Sequence, residues 1–177
     1  MKYKLGLVLA AVFVIGWVLA VFGADDAKQY PSCKYCGMDR EKFAHSRVLV
    51  HYDDGKGEGF CSIHCAVVDL AVNIDRAPGS VGVGNYKTKG LIDAEKAFWV
   101  IGGSKPGVMS GRAKWAFKTE DEAAAFIKEF GGEAATFESA VKAAYEDMYQ
   151  DTRAIRERRA MKRKAMEANK GMEHGHK

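Results

Sequence analysis

The stretch AFWVIGGSKPGVMSGRAKWAFKTEDEAAAFIKEFGGEAATF, residues 97–137, decides how the chain is read. Its first seven residues, Ala97 to Gly103, hold two aromatic and two β-branched side chains, and Ala113 to Phe117 hold two further aromatics. The two runs predict strands that return on each other across the glycine-rich loop Gly103 to Gly111. Thr119 then stands before EDEAAAFIKEF with Glu122 three residues on, the pattern of a capping box, and Gly131 and Gly132 predict the stop. Residues 133–137 predict a closing strand. The order is β-β-α-β.

The same order recurs upstream, in the succession of elements rather than in residue identity. RVLVHYDD (47–54) alternates as a strand does, Gly55 and Gly57 make a turn, and EGFCS (58–62) returns. SIHCAVVDLAVNI (62–74) is apolar at helical spacing at Ile63, Val67, Leu70, Ala71 and Ile74, with Ser62 as the N-cap. Pro78 and Gly79 end that segment, and SVGVGNY (80–86) predicts the third strand. The repeat units are thus about 45–87 and 96–137, and the fold class is α+β.

The two ends differ from this middle. Leu5 to Phe22 is an 18-residue run without a charge behind Lys2 and Lys4. As a helix it extends roughly 27 Å, close to the ~30 Å of a bilayer's hydrocarbon core. Residues 1–24 therefore predict a hydrophobic N-terminal helix, as a signal peptide or a membrane anchor. The lysines place the chain from Asp25 onward outside the cytoplasmic membrane, on its periplasmic side. The small residues near Val21 and Gly23 make a weak cleavage site, which favours a retained anchor. Residues 138–177 predict a long charged helix ending in a basic tail: residues 152–177 hold nine Lys or Arg against three Glu, while the whole 177-residue chain carries only +4. Such a run is a solvated helix or attracts anionic lipid headgroups. Nucleic acid is not a partner for an exported chain.

Export changes the reading of the four cysteines, which face an oxidising compartment and in principle allow three disulfide pairings. Their spacing also suits a metal: Cys33 and Cys36 are separated by two residues, and Cys61 and Cys65, at a strand-to-helix junction, by three. Treble-clef-like modules place thiols in this way, one pair in a knuckle and one at a helix start. A helix N-terminus favours the thiolates that metals bind, so four thiolates around Zn2+ are one reading. Met38, in CKYCGM, makes another. Cu(I) is soft and prefers thiolate and thioether sulfur, and Met109 in the GSKPGVMSG loop offers a third donor to a trigonal site with Cys36 and Met38. A methionine such as Met38 is more often a gap-filling core residue, and Met109 reads equally as packing against the neighbouring strand. His64, between Cys61 and Cys65, is a further candidate ligand. His45 lies in the loop after the knuckle, His51 on a strand, and the terminal MEHGHK collects metals loosely or is solvated.

No catalytic constellation is present: there is no serine, histidine and acid pattern and no phosphate-cradling glycine motif. A thiol-disulfide enzyme using Cys33 and Cys36 is disfavoured by the strand order and by the Gly-Met after Cys36.

CKYCGM, FCSIHC, AFWVIGGSKPGVMSGRAKWAF and the helix with its Gly-Gly stop resemble NosL-type proteins, copper-binding accessory factors of nitrous oxide reductase assembly, over residues 33–137. The resemblance implies a non-enzymatic, exported, membrane-attached protein with two β-β-α-β units and one Cu(I). That ion would be held by Cys36, Met38 and Met109, and passed to a copper-receiving assembly machinery or apo-cuproenzyme. The CGM and FCSxxC motifs are shared with YHS and TRASH metal modules. Cys65 leans toward those, and they imply a structural four-cysteine zinc and an interaction or metal-sensing role.

Overall fold

The computed structural model describes residues 26–174, with side chains to residue 168. The N-terminal hydrophobic segment lies outside the described residues, as does the end of the MEHGHK tail. No helix among the described residues is long and apolar enough to cross a membrane.

A one-turn helix, α1 (Asp26–Gln29), precedes the first unit, which consists of β1 (Val48–Tyr52), β2 (Gly57–Phe60), α2 (Ile63–Val72) and β3 (Pro78–Gly84). A short strand, β4 (Leu91–Asp93), comes next. The second unit has β5 (Phe98–Ile101), β6 (Lys114–Phe117), α3 (Glu120–Phe130) and β7 (Glu133–Ala135), and α4 (Phe137–His174) ends the described chain. Both units fold with one topology. In each, the first strand is central, flanked antiparallel by its hairpin partner and by the strand after the helix, giving the orders β2-β1-β3-β4 and β6-β5-β7. β4, which pairs Gly84 with Leu91, is the strand that periodicity did not indicate, because three residues are too few to display a period. A parallel bridge between Asn85 and Ala116 joins the two sheets, and Tyr86 N–H donates to Ala116 O at 2.8 Å.

The strand period distributes the core. On β5, Trp99 faces a cluster with Val48, Val50, Phe60, Cys61 and Cys65, whereas its neighbour Val100 faces Trp115, Phe117 and Phe126. The second sheet is therefore buried on both faces, by α3 on one side and by the first unit with α4 on the other. Buried Ala140, Ala143 and Ala144 let α4 approach, and Phe137 sits 6.0 Å from the Trp99 ring. The first turns of α4 thus belong to the packed fold, and the basic run begins beyond Asp151.

Two helix details differ from the sequence reading. Thr119 caps α3, its hydroxyl accepting from Glu122 N–H at 3.3 Å, but Glu122 reaches back to Lys118 N–H and to Asn85 Nδ2 rather than to Thr119. In α2 the predicted apolar stripe holds only for the first turns: Ile63 and Val67 are buried, whereas Ala71 is exposed and Ile74, past the end of the helix, is 90% exposed, while Asp69 is fully buried. The buried carboxylate turns this face inward, and the end of the helix runs out into solvent.

Candidate metal centre

The first thiol pair sits on a tight loop with four local restraints. Gly37 takes φ 72°, a left-handed conformation that suits glycine. Gly37 N–H donates to Cys33 O at 2.9 Å, Cys33 N–H to Met38 O at 2.8 Å, and Ser32 bridges Asp39 across the base. Lys34 N–H, bound to Gly59 O at 3.0 Å, pins the loop to β2. The second pair comes from the junction that β2 and α2 create: Cys61 follows directly on the strand and Cys65 lies in the first turn of the helix.

These elements bring the four sulfurs within 4.8 Å of one another. Cys36 and Cys61 are 3.4 Å apart and Cys61 and Cys65 3.8 Å, and none is in a disulfide. Cys33, Cys61 and Cys65 are buried and Cys36 is half-buried, which leaves one sulfur near the surface. Hydrogen bonds from Cys36, Cys61 and Cys65 hold the Cys33 thiol far below its usual range. Cys36 is lowered to about 7, the raising contact with Cys33 being outweighed by those with Cys61 and Cys65. Contacts with Cys33 and Cys36, together with burial, push Cys61 and Cys65 up. The thiols thus share their protons unequally, Cys33 and Cys36 lowered and Cys61 and Cys65 raised, and a bound cation favours the thiolate form of all four.

Met38 and Met109 are half-buried and pack against the same apolar cluster that holds Cys33, Cys61 and Cys65. Met109 has φ 62°, a left-handed backbone uncommon for a residue with a side chain. His64 is outside the four-sulfur group: its Nδ1 lies 3.3 Å from Asp151 Oδ2 on α4, and burial lowers its pKa. His45 packs its ring against Trp115 and Tyr86, 5.5 and 5.9 Å away, and His51 is half-buried on β1.

The residues that hold the site in place were not evident from spacing. Arg40, with no exposed surface, uses all five of its N–H donors: toward Phe60 O, Asp26 O, Tyr30 O, Asp26 Oδ2 and Val48 O, at 2.7 to 3.1 Å. Arg47 binds the same Asp26 carboxylate at 2.7 Å. Burial works against that carboxylate, yet the hydrogen bonds and charge of Arg47 and Arg40 hold its pKa below the usual range. On the other side of the loop, Asp69 accepts from Tyr35 Oη at 2.7 Å and from Tyr52 Oη, and pairs with Lys34 Nζ at 3.0 Å. Lys34 and Tyr35 are the two residues between the first cysteines, so Asp69 anchors that loop to α2 and β1. Its signal in the sequence was one acid within an otherwise apolar helical run.

Comparison with known proteins gives two findings. The family model described as NosL matches residues 26–145. The crystal structure of the copper chaperone NosL from Shewanella denitrificans is similar at 23% sequence identity with a TM-score of 0.50, covering 60% of this chain and 87% of that one. At that identity the likeness is one of fold. No curated protein matches the chain.

Proposed function

Since the chain belongs to the NosL family, a non-enzymatic one, we propose that it is a Cu(I) carrier on the periplasmic side of the cytoplasmic membrane. Its N-terminal apolar segment would hold it there, and it would hand copper to the machinery that assembles a cuproenzyme of the nitrous oxide reductase type. The observation that carries this reading is the convergence of four unpaired thiols within 4.8 Å. Cu(I) takes two to four soft donors, and thiolate and thioether sulfur suit it best. Cys36, the least buried thiol, and the half-buried thioethers of Met38 and Met109 are assigned to the exchanging side of the site, with Cys33, Cys61 and Cys65 behind them. The left-handed backbone at Met109 supports the assignment, because a strained residue persists where the surroundings require its direction. Transfer proceeds by ligand exchange: an incoming donor bonds before Cys36 or a methionine leaves, so the ion is never bare.

A second reading has its own support. Four sulfurs bound to zinc at ~2.3 Å stand roughly 3.8 Å apart, close to the 3.4 and 3.8 Å that separate the sulfurs of this cluster. In that reading zinc is structural, and the site serves an interaction or sensing role. X-ray absorption on protein offered Cu(I) and Zn(II) together without oxygen separates the two. Carriage predicts copper in a mixed thiolate and thioether shell, and Met109→Leu lowers Cu(I) affinity about tenfold, or ~1.4 kcal/mol, with the melting temperature unchanged. Leucine avoids adding a β-branched side chain to a left-handed residue. Zinc with four sulfur bonds, retained by Met109→Leu and needed for folding, would overturn it.

A further inference from the structure

A cleft of about 350 Å3 opens among His45, Tyr86, Lys89, Lys105, Pro106 and Trp115, none of which belongs to the four-sulfur group. Its volume falls in the range of small-molecule pockets, and its lining is of two kinds. Three rings form a wall: Trp115 stands 5.0 Å from Tyr86 and 5.5 Å from His45, and His45 meets Tyr86 edge-on at 5.9 Å. Two lysines complete it, and among the described residues no acid lines the cleft. Neither lysine has a carboxylate partner there; Lys105 Nζ stands 4.1 Å over the Phe130 ring instead.

Two further observations mark the cleft as a place for a ligand. Lys89 has a left-handed backbone, φ 63°, uncommon for a residue with a side chain. Its N–H donates to Asn85 O at 2.8 Å and its carbonyl accepts from Arg47 Nη1 at 2.5 Å, so the strained residue is held from both sides. Trp115 is only 2% exposed, and its indole N–H has no acceptor in the fold. Such a donor is costly to leave unpaired. The half-buried His45 ring beside it makes no hydrogen bond of its own, so it can turn aside and admit an oxygen to the indole.

We propose that this cleft binds a small aromatic carboxylate, its ring packed among His45, Tyr86 and Trp115 and its carboxylate held by Lys89, Lys105 and the Trp115 indole N–H. Ammonium groups give charge-assisted hydrogen bonds to a carboxylate, and offset or edge-on ring contacts add to the burial of apolar surface. Inorganic phosphate would use the charges and leave the rings bare. The site shares no residue with the thiols, so it is tested without copper and stands apart from copper carriage.

The test titrates benzoate into the reduced, metal-free full chain and follows the indole N–H signals by NMR. Benzamide and inorganic phosphate are the uncharged and the ring-free comparisons. The expected result is one equivalent of benzoate that moves the Trp115 indole signal downfield as the N–H gains an acceptor, the signal being assigned by its loss in Trp115→Phe. Benzamide and phosphate bind at least tenfold more weakly. Lys89→Gln and Lys105→Gln together weaken benzoate at least tenfold and leave the melting temperature unchanged, so the result does not depend on whether Trp115→Phe folds well. An unmoved Trp115 signal, benzamide or phosphate binding as tightly as benzoate, or parent-strength binding in the double lysine variant overturns the proposal.

Discussion

The two β-β-α-β units share a topology and differ most where the second strand passes into the helix. In the second unit Thr119 caps α3 with its side chain, and Glu120, Asp121 and Glu122 fill the first turn. In the first unit Ser62 occupies the same position with an extended backbone, yet makes no side-chain cap, and the first turn of α2 holds no acid. An uncapped N-terminus leaves amide donors and the positive end of the helix dipole for another anion. Cys61 and Cys65 stand at that end. One junction is closed for stability, and its counterpart is left open for thiolates.

The comparison can be broken from either side. The largest effect is expected from Arg40→Met, which leaves the buried Asp26 carboxylate without one of its two cations and should cost ~3–5 kcal/mol in metal-free protein, read by chemical denaturation. Cys61→Ser should lower Cu(I) affinity about a hundredfold, or ~2.7 kcal/mol, in a chelator competition, with little change in the melting point of the metal-free chain. Thr119→Ala, the mirror change in the second unit, should cost ~1 kcal/mol of stability and leave metal affinity alone. If it weakened metal binding, the division of roles between the units would be wrong. A smaller, graded effect sharpens the picture. The folded pKa of Asp26 is lowered, so its contribution is complete at neutral pH, fades once the medium falls to about pH 4, where unfolded aspartates protonate, and is lost below the folded value. The melting-point gap between the parent chain and Asp26→Asn should shrink over that interval and stay constant above it.

Much of the architecture was legible because it rests on local rules. Alternation gave β1, aromatic and β-branched content on either side of a glycine-rich loop gave β5 and β6, the Thr119 signal placed α3, and glycines marked its end. The thiols' meeting was legible as well, since two knuckle-spaced pairs, one at a helix start, imply convergence once the hairpin between them is drawn. What stayed hidden depends on contacts remote in sequence. Arg40 reads as one more surface charge until Asp26, Val48 and Phe60 are brought around it. Asp69 breaks an apolar run, and only Tyr35 and Tyr52 explain why the break points inward. The reach of α4 back to His64 through Asp151 had no periodic signal, because one acid in a charged helix resembles every other.

The guanidinium of Arg40 ties the chain entering at Asp26 to the start of β1 and the end of β2, and so to the turn just past Met38. Entry segment and thiol loop therefore share this one guanidinium, so loosening either disturbs the other. A tug on the polypeptide ahead of Asp26 would be felt at the sulfurs, and amide exchange at Cys33 and at Arg40 should accelerate together rather than one after the other.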